Sequence, residues 1–218
     1  MSRRNLYNRR DTEGTEKIPT DIPRTVVQTF RTFCAIELTE NIRSQIQSYI
    51  NQLRAAVPES HASWTRIENI HLTLKFFGDV DESSIAKIAK AGDRAVVDCS
   101  PFDILIKGSG SFPKPSQARV LWIGVEDPSG KLNELNRRFE NECSNEGFAK
   151  EDRTFRPHLT IARIRKPTGV KTLAETHQEL GFESMKLTVN ELVVFRSELS
   201  SKGSKYTALS RHNLPEVI

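Results

Sequence analysis

The chain has 218 residues, 37% hydrophobic and 28% charged, a composition that suits a globular protein and a length that allows one domain or two small lobes. No apolar run approaches the roughly 20 residues that span a bilayer, and the first thirty residues lack a secretory apolar stretch, so a cytoplasmic protein with no membrane partner is expected. A formal net charge of +4 is too weak to coat nucleic acid by charge alone, and Cys34, Cys99 and Cys143, odd in number and far apart, read as reduced thiols rather than a zinc site.

Residues 1–28 are rich in arginine, poor in aliphatics and without periodicity, which predicts a mobile N-terminal extension and leaves 29–218 as the folded domain. Asp11, Glu13 and Glu16 interrupt the basic run and argue against a mitochondrial presequence. RTFCAIEL (31–38) has the character of a strand. Ile42, Ile46, Ile50, Leu53 and Val57 then recur at helical spacing and predict an amphipathic helix. Strands are expected at 64–66 and 71–76, a turn at Gly78 and Asp79, and a second helix over 83–97. FDILIK (102–107) alternates strictly, and ARVLWIGV (118–125) follows a Gly/Pro/Ser loop, as in a hairpin-like reversal. Leu132, Leu135, Phe139 and Cys143 mark a third helix that Gly147 can end. HLTIARIR (158–165), a helix over 171–180 ending at Gly181, and strands near 185–196 and 204–210 complete an α+β pattern with antiparallel pairing.

HLTLKFFG (71–78) and HLTIARIR open on the same three residues, 87 positions apart, and each follows an apolar strand and an amphipathic helix. Such a duplication predicts two pseudo-symmetric lobes. Side chains alternate along a strand, so His71 and Thr73 share one face while Leu72 and Leu74 share the other; His158 and Thr160 repeat the arrangement. One histidine beside one threonine is an ordinary structural pair, but two copies with matching flanks make a site. Two imidazoles can supply the base and the acid that phosphodiester cleavage requires, and two hydroxyls can donate to the non-bridging oxygens. His61, His177 and His212 lack such a context and receive no role.

The paired motifs, with RTFCAIEL, WTRIENIHLTLKFFGDV, ARVLWIGV and FRPHLTIARIRK in this order, resemble the two-histidine phosphoesterase superfamily from about Arg31 to Leu209. Within it the chain is most similar to the RNA 2′,3′-cyclic phosphodiesterases, also called 2′–5′ RNA ligases. The resemblance implies a bilobal α+β fold of two antiparallel sheets with outer helices and a central cleft. It implies hydrolysis of an RNA terminal 2′,3′-cyclic phosphate to a 2′-phosphate without metal or cofactor, by a monomer whose partner is RNA or a related small nucleotide. His71 and His158 would be the acid and base, with His158 activating water and His71 protonating the 3′ oxygen, while Thr73 and Thr160 hold the phosphate. Phe76 would stack on the terminal base and Arg163 bind phosphate. An offset of five from each histidine opposes those two roles on a regular strand, so either the strand bulges after the threonine or both residues are structural. Lys75 shares the face of His71 by alternation and is expected to add positive charge to the cleft. Arg153, Arg156, Arg163, Arg165 and Lys166, with no acidic residue among them, form a candidate patch for an RNA backbone. The competing readings are 2′–5′ ligation, a small cyclic nucleotide as substrate, and a non-catalytic RNA-binding module.

Overall fold

Among the described residues, 28–216 without Pro167 and Lys202, the computed structural model has nine strands and four α-helices. The expected N-terminal extension lies outside them, apart from Gln28. The strands are β1 (Thr29–Ile36), β2 (Ala62–Trp64), β3 (Leu72–Asp81), β4 (Phe102–Phe112), β5 (Val120–Glu126), β6 (His158–Ile164), β7 (Met185–Val189), β8 (Glu191–Ser200) and β9 (Gly203–Asn213). They form a four-stranded sheet ordered β3-β1-β8-β9 and a five-stranded sheet ordered β2-β6-β5-β4-β7, with antiparallel pairing throughout. The bilobal α+β architecture is the one the duplicated motif predicts.

The duplication is visible in the backbone. In the first lobe β1 leads through α1 (Glu40–Ala56) to β3, its antiparallel neighbour; in the second, β5 leads through α3 (Lys131–Asn145) to β6, likewise antiparallel. Each helix forms where its apolar spacing predicts. Thr39 caps α1 by accepting from the Ile42 amide, and Ile42, Ile46, Tyr49, Ile50 and Leu53 turn inward. Past the end of α3, Gly147 adopts the left-handed conformation that favours glycine, and the Phe148 amide returns to the Cys143 carbonyl. α2 (Glu82–Val96) lies against the four-stranded sheet and against α3, while α4 (Val170–Leu180) lies against β4 and α1. No described helix is long and apolar enough to cross a membrane.

Two expected elements differ. The residues read as one strand over 185–196 are β7 and β8, which belong to different sheets and are joined by Asn190 alone. Only Asn190 and Glu191 interrupt the apolar positions, too short a polar gap for periodicity to register a break. Gly78 and Asp79 make no turn: β3 runs on to Asp81, pairing with β1 as far as Thr29, and the side chain of Asp81 caps α2 at the Ser84 amide.

One apolar core fills the backs of both sheets and reaches the helices. A smaller cluster of Phe33, Ala35, Val193 and Phe195, with Tyr206 against it, covers the opposite face of the four-stranded sheet. β1 is therefore buried on both sides from Thr32 to Ile36, which is why RTFCAIEL carries so little polarity.

Candidate active site

β3 and β6, one from each sheet, lie against one another. β2 pairs with β6 at the edge of its sheet and passes through a 3₁₀ turn at Ile67–Asn69 into β3. The Thr65 amide donates to the Ile161 carbonyl at 2.9 Å, so the chain leaves one motif strand only a few residues before it forms the other.

The two histidines are held in the same way. His71 Nδ1 lies 2.9 Å from the Asn69 carbonyl, and His158 Nδ1 lies 2.7 Å from the Arg156 carbonyl, each two residues upstream. A carbonyl can only accept, so Nδ1 carries the hydrogen in both rings and Nε2 is the atom left to exchange a proton. Thr73 and Thr160 are half-buried, and neither hydroxyl has a protein partner among the described residues.

The surroundings of the rings differ. His71 stacks on Phe33 with centroids 4.7 Å apart and planes 22° from parallel, and meets Tyr206 edge-on at 5.4 Å. Burial pushes its pKa down to about 4; the nearby Arg43 charge acts in the same direction, while the Asn69 carbonyl and Glu37 oppose it. Among the described residues His158 has no stacked partner and sits edge-on to Phe112 at 5.2 Å and Trp122 at 6.5 Å.

Both motif strands bulge immediately after the threonine. Ala35 pairs with Thr73 but Cys34 pairs with Lys75, so Leu74 is the extra residue; Trp122 pairs with Thr160 but Leu121 pairs with Ala162, so Ile161 is the extra one. Two consecutive side chains then point into the core, Leu74 with Lys75 and Ile161 with Ala162, and the alternation restarts one residue late. Phe76 and Arg163 consequently return to the face of the histidines. Phe76 is 52% exposed and leans against Phe33 at 5.5 Å. Arg163 is exposed and has no hydrogen-bond or ion-pair partner among the described residues.

The same bulge corrects the reading of Lys75. It points away from the histidines into the core, where Nζ reaches the Glu140 carboxylate at 2.7 Å and the Ala149 carbonyl at 2.9 Å. Arg153, Arg156, Arg165 and Lys166 are exposed, the first pair ahead of β6 and the second just past its end. Of the remaining histidines, His177 is fully buried and structural: it donates from Nε2 to the Trp122 carbonyl and accepts the Tyr49 hydroxyl at Nδ1. His212 binds Asp93 at 2.7 Å.

Two site residues escaped sequence reasoning. Trp122 pairs with Thr160 and lies flat over Gly110, where an added Cβ would come within 2.3 Å of the indole. Its signal was present, since Leu121, Ile123 and Val125 alternate inward and leave Trp122 on the motif face. Arg43 donates to the carbonyls of Leu38, Ile67 and Ile70 at 3.3, 2.7 and 3.1 Å, and so pins the turn that precedes His71. Nothing local distinguishes it from any other arginine on a helix.

The sequence profile of the 2′–5′ RNA ligase superfamily matches residues 42–200. The chain belongs to that superfamily. An RNA 2′,3′-cyclic phosphodiesterase of Methanothermobacter thermautotrophicus is 36% identical over 178 residues, 81% of this chain and 95% of its own. Its counterpart in Thermotoga maritima is 34% identical over 82% of this chain and 92% of its own. The fold is that of Escherichia coli LigT complexed with 3′-AMP, with a TM-score of 0.69 at 24% identity over 87% of this chain and 100% of that one. For this superfamily member the two HxT strands are thus the repeated unit, and their bulges are what carry Phe76 and Arg163 to the histidine face.

Proposed function

We propose that this chain hydrolyses the terminal 2′,3′-cyclic phosphate of RNA to a 2′-phosphate, with His158 as base and His71 as acid. The observation that carries the proposal is the paired tether, one carbonyl on each Nδ1, which leaves two Nε2 atoms for proton transfer. Relatives named RNA 2′,3′-cyclic phosphodiesterase, similar over most of their length, support the choice of substrate. In the proposed reaction neutral His158 takes a proton from water as its oxygen attacks phosphorus, and the bond to O3′ breaks on the opposite side. The developing alkoxide receives the proton of His71, and the 2′-phosphate remains. Thr73, Thr160 and Arg163 donate to the phosphoryl oxygens, and Phe76 stacks on the terminal base.

The low basicity of His71 sets a condition on this role. An imidazolium that holds its proton weakly gives it up readily; with a pKa of about 4 in the free protein, His71 is neutral near pH 7, so the proposal requires that the negative charge of the bound cyclic phosphate raise it. Hydrolysis of a nucleoside 2′,3′-cyclic phosphate in EDTA tests the proposal. The expected product is the 2′-phosphate alone, and His71→Ala and His158→Ala should each lose on the order of 10²- to 10⁴-fold in kcat. Activity that depends on added metal, or that survives the double substitution, would overturn it. A complex with the 2′-phosphate product that sets His158 beside O3′ would reverse the assignment of acid and base.

A further inference from the structure

A 230 Å³ pocket opens beside His71, between the 3₁₀ turn at Ile67–Asn69 and the β8–β9 hairpin, with Arg66, Glu68, Ser204 and Tyr206 in its wall. Phe76 does not line it. Phe76 stands five residues beyond His71 in the chain, and both rings touch Phe33, whose centroid lies 4.7 Å from His71 and 5.5 Å from Phe76. Arg66, Glu68 and Asn69 of the pocket wall precede His71, so the order along the chain is pocket wall, His71, Thr73, Phe76.

A ribose cyclic phosphate has a matching order. The base leaves from C1′, the two phosphate oxygens from C2′ and C3′, and the 5′ carbon from C4′ next to C3′. With the base on Phe76 and O3′ at His71, the 5′ carbon points past His71. We infer that the pocket is a subsite for the nucleotide on the 5′ side of the cyclic end, with Arg66 binding the connecting phosphodiester and Tyr206 walling the sugar. The inference rests on the roles given to Phe76 and His71 above.

The pocket is built for such a strand. The side-chain Nδ2 of Asn69 donates to the Ser204 carbonyl at 2.8 Å and closes the wall behind His71. Arg66 lies across the hairpin turn where Gly203 offers no side chain; an added Cβ would sit 3.6 Å from its Nε. Its nearest acid is Glu68 at 3.7 Å, with both side chains more than half exposed, a pairing weak enough for a phosphate to displace. Glu37, the other acid in the wall, is held by Arg211 at 2.7 Å.

The test compares kcat/KM for a dinucleotide ending in a 2′,3′-cyclic phosphate with kcat/KM for the corresponding mononucleoside cyclic phosphate, at one fixed salt concentration. The native protein should favour the dinucleotide by about tenfold, as one charge-assisted phosphate contact can supply. Arg66→Ala should bring the ratio close to one, Arg66→Lys should restore part of it, and Glu68→Gln should raise it. Equal use of both substrates by the native protein, or a ratio that Arg66→Ala leaves unmoved, would overturn the subsite. The cleft itself is tested separately, because His71→Ala must slow both reactions to the same large extent if its role is right.

Discussion

Phe76 and Lys75 are neighbours with opposite fates, and the cause is Leu74. Without the bulge, alternation would place Lys75 beside His71 and Phe76 in the core; with it, the lysine is buried on Glu140 and the phenylalanine is exposed. The histidines and threonines were legible because repetition identified them without any geometry. Phe76 and Arg163 were legible by position but not by direction, since a one-residue bulge leaves no mark in an apolar strand. Their exposure allows a clean experiment. Phe76→Ala should raise KM for a cyclic nucleotide by roughly 5- to 160-fold, the value of losing one base stack of about 1–3 kcal/mol. Arg163→Ala should raise it comparably through the lost charge-assisted contact. Thermal stability should move little in either variant, as is usual at exposed positions. Unchanged KM in both would return these side chains to a structural role.

At the scale of elements, the helices were readable from their 3.6-residue period, and the motif strands from composition. The link between them was not. Arg43 reaches from α1 to three carbonyls, two of them belonging to the turn that carries Asn69 and hence the acceptor for His71. Those carbonyls meet the guanidinium only after folding, so no local pattern announces it. Arg43→Met keeps the apolar length of the side chain but leaves the carbonyls unpaired, and should cost about 2–3 kcal/mol in chemical denaturation. kcat should fall as well, because the His71 ring loses its fixed support. Arg43→Lys should recover only part of either effect, since one ammonium cannot reproduce the guanidinium fork. A variant as active and as stable as the native protein would show that the turn holds itself.

For the molecule as a whole, the histidines set a pH limit. His71 is held to about 4 in the fold against an ordinary value of 6.5, and buried His177 is lowered for the same reason. In the window between 6.5 and about 4 the unfolded chain binds protons that the folded chain refuses. Stability is therefore full above pH 6.5 and declines as pH falls through the window, with His71 contributing up to about 3 kcal/mol. Denaturation midpoints at pH 7 and pH 5 should differ accordingly, and His71→Gln should shrink the difference; a midpoint independent of pH would refute this. The two-lobed plan was legible in the repeat, whereas the exchange of strands between lobes was not, because pairing partners far apart in the chain leave no local period.

That exchange governs how the protein can be made. β2, from the first lobe, completes the edge of the second sheet, and β8 and β9, the last strands described, complete the first sheet on the far side of β1. Arg31 pairs with Asp79 on one side, but on the other it finds a partner only when Ser197 exists. On a ribosome, β1 must wait until β8 has been made before its open edge is covered. Folding should then be slow for the protein's size, limited by closure of a very long loop. A nascent chain halted before Glu191 would present β1, apolar on both faces, with one edge bare and free to capture another strand.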